Sequence, residues 1–242
     1  MKICLAQIKP VKGDVEQNIL RHIYFIERAA RLHAAAIFFP ELSLTGYEPG
    51  LAKELATTAN DKRFTVLQQT SDELHITIAA GIPLLTTKGI QISMLIFQPT
   101  QPVKTYAKQI LHRDEAAYFV SGDKHILIQV EGLKIAPAIC YESLQPGHAE
   151  RASLLGADLY VTTVAKSKAG VTKAYRHYTQ IAATYGMPVL MANSVGPSDN
   201  FIGAGQSGVW LKNGALPGQL KHMEEGLLVF DTSTEEVSTH LV

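Results

Sequence analysis

Short apolar runs alternate with longer segments of helical periodicity along most of this chain. The apolar runs predict β-strands at residues 2–8, 35–39, 76–84, 90–97, 159–164 and 188–192. Apolar residues at helical spacing predict α-helices over about residues 14–31, 61–74 and 171–185, with another helix after Cys140. This alternation of strands and helices predicts an α/β fold.

Turn-forming residues refine the prediction. Asp14 and Gln17 have the spacing of a capping box, so the first helix should begin beside Asp14. Three segments are typical of tight turns between neighbouring strands, namely Thr87-Lys-Gly89, Glu131-Gly132 and Asn213-Gly214. A sheet rich in hairpins differs from the regular strand–helix repeat of a (β/α)8 barrel, which is therefore disfavoured.

The composition agrees with one domain over residues 1–242, because a hydrophobic content of 46% is enough for a large core. The 22 basic residues balance 22 acidic residues, so no excess positive charge would attract nucleic acid or an anionic membrane. No apolar stretch approaches the roughly 18 residues of a membrane span, and the segment 1–10 lacks the pattern of a signal peptide. We therefore expect a cytoplasmic protein without nucleic-acid or membrane partners.

Cysteine and histidine usage bears on cofactors. Cys4 and Cys140 are the only cysteines, which excludes a disulfide framework and a cysteine-based zinc site. Cys4 lies within an apolar run and is expected to be a small buried side chain. The nine histidines are scattered without metal-ligand spacing. We therefore expect neither a metal nor another cofactor.

Reactive side chains stand at the ends of three predicted strands. They are Glu41, Lys108 and Cys140. Because ligands bind at the carboxyl ends of strands in open α/β sheets, these side chains are candidates for one active site. A cysteine nucleophile needs a base and a nearby cation, so the set predicts a Cys-Glu-Lys hydrolase. The alternatives are an inert core thiol, a capping carboxylate and a solvated ammonium.

Longer motifs surround these residues in a fixed order. They are Pro40-Glu-Leu-Ser-Leu-Thr-Gly-Tyr47, Tyr106-Ala-Lys108, Ile139-Cys-Tyr-Glu142 and Ala192-Asn-Ser-Val-Gly196. In this order they resemble the carbon-nitrogen hydrolase (nitrilase/amidase) superfamily, and the first three are similar to its general-base, lysine and nucleophile motifs. The resemblance covers nearly the whole chain. It implies an α-β-β-α four-layer sandwich and a homodimer or higher homo-oligomer joined through helices.

The resemblance also implies a catalytic role for each matched residue. Cys140 would attack the substrate, and Glu41 would transfer protons as general base and acid. Lys108 and the backbone N–H of Tyr141 would stabilise the oxyanion of the tetrahedral intermediate.

Four other residues are candidates for ordering the site or binding the substrate. Glu115, seven residues after Lys108, matches a second glutamate of the family, and the alternative is a surface carboxylate. Tyr47 and Asn193 fall within matched motifs. Lys166 belongs to a segment that departs from the family, because Ala165-Lys-Ser-Lys-Ala-Gly170 lacks the tryptophan commonly found there.

Substrate choice is left open by the sequence. The basic residues Lys166, Lys168, Lys173 and Arg176 would either recognise an anionic substrate or form a solvated charged face. An arginine that many omega-amidase-like members carry four residues after the nucleophile is replaced here by Leu144. We expect hydrolysis of a small linear amide or N-carbamoyl compound with release of ammonia. The alternatives are a stand-alone glutaminase-type amidase, a nitrilase, and a non-catalytic interaction protein with the same fold.

Overall fold

The computed structural model describes residues 1–242 and contains two large β-sheets. Numbered along the chain, the helices are α1 Val15–Arg31, α2 Ala52–Leu55, α3 Thr65–Leu74, α4 Pro146–Leu154 and α5 Lys168–Tyr185. The strands are β1 Lys2–Gln7, β2 Ala34–Phe38, β3 Thr77–Thr86, β4 Gly89–Phe97, β5 Lys104–Ala107, β6 Ile128–Val130, β7 Leu133–Ile139, β8 Leu159–Val164, β9 Val189–Asn193, β10 Val195–Ser198, β11 Phe201–Ala204, β12 Gly208–Trp210, β13 Gly218–Gln219, β14 Gly226–Asp231 and β15 Val237–Leu241. No helix combines the length and the apolar character that crossing a membrane requires.

Each large sheet has a parallel centre extended by antiparallel strands. The first has the order β15-β14-β1-β2-β3-β4-β5, and the second has the order β13-β12-β9-β8-β7-β6. Strands β1, β2 and β3 run parallel in the first sheet, as do β7, β8 and β9 in the second. A separate two-stranded ribbon is formed by β10 and β11. Both sheets therefore combine crossover connections with hairpins, as the sequence predicts.

The side chains of β1 alternate between two hydrophobic cores, as the two-residue period of a strand requires. Ile3 and Leu5 belong to a core between the two sheets. Cys4 and Ala6 face the other way and pack with residues of α1 and α3. A third core lies on the outer face of the second sheet, beneath α4 and α5. The layers run helix, sheet, sheet, helix, which confirms the α-β-β-α sandwich.

Most of the predicted element boundaries agree with the structure to within a few residues. The carboxylate of Asp14 accepts a hydrogen bond from the backbone N–H of Gln17 at 3.0 Å, which caps α1. The turn at Glu131-Gly132 joins β6 to β7, and both residues have positive φ. The predicted helix over 61–74 is shorter in the structure, because Lys62–Phe64 forms a 3-10 turn before α3.

Candidate active site

The three reactive side chains meet between the two sheets. Glu41 follows β2 and Lys108 follows β5, both in the first sheet, while Cys140 follows β7 in the second sheet. The chain at Glu41 passes very close to β3, where a Cβ at Gly81 would lie 2.3 Å from the backbone nitrogen of Leu42. Glycine at position 81 therefore allows the approach that brings Glu41 into the site.

Cys140 occupies a sharp turn from strand to helix. Its φ is +50°, a left-handed conformation that is uncommon outside glycine and asparagine. Residues Cys140–Leu144 form a 3-10 turn, so Tyr141 stands in its first turn, where a backbone N–H has no partner within the helix. The turn thus presents the half-buried thiol together with an available N–H donor.

Lys108 is fully buried and pairs with two carboxylates. Its Nζ donates to Oε1 of Glu41 at 2.8 Å and to Oε1 of Glu115 at 2.6 Å. Burial acts to lower the pKa of Lys108, but Glu41, Cys140 and Glu115 outweigh that effect and raise it above its ordinary value. Lys108 is therefore held as an ammonium ion at neutral pH.

The pKa values of the other two groups, Glu41 and Cys140, are both raised, which favours their protonated forms. Burial raises the pKa of Glu41, and Lys108 opposes that shift. Burial, followed by the negative charge of Glu41, raises the pKa of Cys140 to about 11, while Lys166 and Lys108 act to lower it. One oxygen of Glu41, Oε2, is buried without a hydrogen-bond partner. This oxygen has the capacity to accept a proton.

Glu115 lies at the site, and the alternative of a surface carboxylate is wrong. Besides Lys108, its Oε1 accepts from the hydroxyl of Tyr47 at 2.9 Å, and its Oε2 accepts from the backbone N–H of His112 at 2.7 Å. Tyr47 is half-buried and its ring lies 5.7 Å from that of Phe201. Glu115 therefore orients both Lys108 and Tyr47.

Glu142 is a further buried carboxylate, and its sequence pattern does not predict a role for it. Its Oε1 accepts from the N–H of Ile139 and the hydroxyl of Tyr106, each at 2.7 Å. Its Oε2 accepts from the N–H of Gln109 at 2.6 Å. Burial raises the pKa of Glu142 to about 7 although these donors oppose the shift. Glu142 thereby ties the turn at Cys140 to the chain beside Lys108.

Asn193, a candidate for substrate binding, uses its side chain to bond the protein backbone. Its Oδ1 accepts from the N–H of Lys166 at 2.8 Å, and its Nδ2 donates to the carbonyls of Lys166 and Gly205 at 3.2 and 2.7 Å. Both amide hydrogens are used and the side chain is fully buried. Asn193 therefore fixes the backbone at Lys166.

The basic segment around α5 divides into two groups. Lys168, Lys173 and Arg176 are exposed and form the solvated face that the sequence allows. Lys166 is only 6% exposed, and its Nζ lies 3.6 Å from Sγ of Cys140. The solvated alternative is thus wrong for Lys166, which adds a second ammonium group beside the thiol.

The carbon-nitrogen hydrolase family model matches residues 2–239. The chain belongs to the carbon-nitrogen hydrolase family. The chain is 27% identical over 238 residues to the glutamine-dependent NAD(+) synthetase of Aquifex aeolicus, and the match covers 94% of this chain and 41% of the synthetase. It is 26% identical over 221 residues to an (R)-stereoselective amidase from Pseudomonas sp, with 89% of this chain and 76% of the amidase covered. The chain therefore spans less than half of that synthetase and most of the amidase.

The fold of this chain is also similar to that of an amidase from Nesterenkonia sp. AN1. The TM-score is 0.85 at 24% identity, and the match covers 97% of this chain and 94% of the other. In a variant of that amidase, the active-site cysteine carries the product of Michael addition of acrylamide.

Proposed function

We propose that this hydrolase is a thiol amidase that cleaves a small linear amide or N-carbamoyl compound and releases ammonia. The observation that carries the proposal is the shared buried cluster, in which Cys140 lies beside Glu41, Lys108 and Glu115. The cysteine adduct in the Nesterenkonia amidase supports Cys140 as the nucleophile. The similarity to the Pseudomonas amidase supports an amide as the substrate.

The chemistry proceeds in two halves. Glu41 takes the proton of the Cys140 thiol through its unpartnered Oε2, and the sulfur attacks the amide carbon. The electron pair of the carbonyl moves to oxygen, where Lys108 and the backbone N–H of Tyr141 stabilise the charge. Glu41 then gives its proton to the departing nitrogen, so that ammonia leaves and a thioester remains.

Hydrolysis of the thioester restores the enzyme. Glu41 removes a proton from water, the hydroxide attacks the thioester carbon, and the bond to sulfur breaks. The carboxylic acid leaves, and the proton returns to Cys140. Glu115 takes no part in bond breaking, because its oxygens are occupied by Lys108, Tyr47 and the N–H of His112. It keeps Lys108 in place.

A glutaminase is the second candidate for the same chemistry. It is favoured by the likeness to the NAD(+) synthetase, whose name states glutamine dependence. In that case glutamine would be the amide substrate, and the ammonia would be released from its side chain. A non-catalytic interaction protein is less favourable, because burying four ionisable side chains around a thiol reduces stability without a compensating use.

The test is ammonia release across aliphatic amides, glutamine, N-carbamoyl compounds and nitriles. We expect turnover of short amides or N-carbamoyl compounds, with loss of activity in Cys140→Ala and Glu41→Gln. The matched control is Cys4→Ala, because Cys4 lies in the core below α1. Activity confined to nitriles, or near wild-type turnover in Cys140→Ala, would contradict the proposal. Turnover of glutamine alone would favour the glutaminase.

A further inference from the structure

Lys166 is a buried cation that no carboxylate neutralises directly. It stands between β8 and α5, and its residue is 6% exposed. The only hydrogen-bond acceptor of its Nζ is Sγ of Cys140, at 3.6 Å. A buried ammonium needs an anionic or strongly polar partner. The arrangement therefore suggests that the sulfur is that partner.

The backbone of Lys166 is held in place from two sides. Asn193 bonds both its N–H and its carbonyl, at 2.8 and 3.2 Å. The N–H of Ala204 donates to the same carbonyl at 2.9 Å. Gly170 borders the side chain, since a Cβ there would lie 3.2 Å from Cβ of Lys166. These contacts aim the side chain at Cys140 and restrict its movement.

The charges of the cluster explain why a second ammonium matters. Lys108 is shared by Glu41 and Glu115, so those three groups carry one excess negative charge when both carboxylates are ionised. When Glu41 takes the thiol proton, this negative charge moves from the carboxylate to the sulfur of Cys140, away from its direct contact with Lys108. Lys166 supplies the positive charge that offsets it.

We propose that Lys166 is a further catalytic residue, whose ammonium stabilises the Cys140 thiolate while Glu41 removes the thiol proton. The S–H bond breaks, the proton goes to Glu41, and the electron pair stays on sulfur beside Lys166. The inference rests on the proposed function only in taking Cys140 as the nucleophile. Burial acts to lower the pKa of Lys166, but Cys140 raises it above its ordinary value, which agrees with a charged side chain.

A carboxylate anchor is the competing role for Lys166. The position of Nζ argues against it, because an amide carbon in attack geometry stands about 3–3.5 Å from the sulfur. An ammonium 3.6 Å from the same sulfur contacts the reacting atoms themselves and not the far end of an extended acidic substrate. The two roles predict different kinetics.

The experiment measures the rate of Cys140 alkylation by iodoacetamide against pH, with intact mass and peptide mapping as the readout. The variants are Lys166→Met, Lys166→Gln and Lys166→Arg, and the matched control is the exposed Lys168→Met. We expect the thiol pKa in the Met and Gln variants to rise by at least about one unit, which slows alkylation about tenfold at a fixed pH below it. Lys166→Arg should retain most of the rate, and Lys168→Met all of it.

Amide turnover provides the second arm. If Lys166 acts on the sulfur, Lys166→Met lowers kcat/KM by a similar factor for neutral and acidic amides. Unchanged alkylation profiles in both neutral variants would overturn the inference. A rise in KM for acidic amides alone would also overturn it in favour of the anchor. Alkylation needs no substrate, so it decides the role of Lys166 even where the wild-type protein hydrolyses none of the amides tested.

Discussion

Replacing Lys108 by methionine tests the charge cluster most directly. The change keeps an unbranched side chain that reaches as far as Cε but removes the ammonium that Glu41 and Glu115 contact at 2.8 and 2.6 Å. All three side chains are buried, so water cannot replace the lost partner. Removing one member of a buried ion pair destabilises a protein by about 3–5 kcal/mol, because the remaining charge is left without compensation.

The loss in Lys108→Met should depend on pH in a defined direction. Without Lys108, the effect that lowers the pKa of Glu41 is gone, so burial and Glu115 raise it further above the unfolded value of 4.5. A carboxyl whose folded pKa is raised contributes its full stability below the unfolded pKa, and that stability is lost as the pH rises. We therefore expect the variant to approach wild-type stability near pH 5 and to depart from it by pH 8.

Urea denaturation at pH 5, 6.5 and 8 measures the effect. With an m-value of about 3 kcal/mol/M, the midpoint at pH 8 should fall by about 1–2 M. The matched control is Lys104→Met on β5. The side chain of Lys104 is exposed, so this substitution should change stability by less than about 0.5 kcal/mol. Turnover should fall by about 10²–10³ as an oxyanion donor is lost. A midpoint equal to wild type across this pH range would refute the proposed compensation of the two carboxylates.

Three other expectations follow from the structure. Glu142→Gln should lower the free energy of unfolding by about 1–3 kcal/mol, because an amide cannot accept at both oxygen positions. Turnover should also fall. A urea midpoint equal to that of the exposed control Glu150→Gln would contradict the proposed link between the turn at Cys140 and the chain beside Lys108. Burial lowers the pKa of His22 to about 3 and of His148 to about 4. Below the unfolded pKa of 6.5, both histidines therefore become protonated on unfolding, and each should remove about 2 kcal/mol of stability between pH 7 and 5. The His22→Gln and His148→Gln variants should each lose less stability than wild type over this range. A difference in urea midpoint between variant and wild type that does not change with pH would contradict this. Finally, we propose a homodimer through α4 and α5, where Leu154 at the end of α4 is 74% exposed; light scattering should give at least twice 26.4 kDa, and a value of 26.4 kDa at micromolar concentration would exclude it.

The sequence predicts the strand ends of the site well because the relevant signal is local. A charged or thiol side chain placed directly after an apolar run marks the end of a buried strand, as it does at Glu41 and Cys140. Lys108 instead follows β5, in which Lys104 and Thr105 are exposed. The α/β layering follows from the same runs. Strand β14 is missed by the prediction although it contains the apolar segment Leu227-Leu-Val-Phe230. Its antiparallel partner β1 lies at the opposite end of the chain.

The roles of Lys166 and Glu142 depend on contacts that are distant in sequence. Lys166 belongs to a run of basic residues whose other members are solvated, and its burial depends on Asn193 and on the position of Cys140. Glu142 bonds to Tyr106 on β5 of the other sheet and to Gln109 just after that strand. Periodicity and charge patterning describe neighbours along one element. They contain no information on which side chains two sheets bring together.

Hydrogen-bond saturation separates the supporting polar groups of the site from the groups proposed to react. Both oxygens of Glu115 and of Glu142 accept hydrogen bonds, and both amide hydrogens of Asn193 are donated. By contrast, Oε2 of Glu41 has no partner, and Nζ of Lys166 has only the sulfur. An unsatisfied buried polar group costs about 1–3 kcal/mol, more where it is charged. Transfer of the thiol proton would give Oε2 of Glu41 a hydrogen and would place a thiolate beside Nζ of Lys166. The site would thereby stabilise its reacting state more than its resting state.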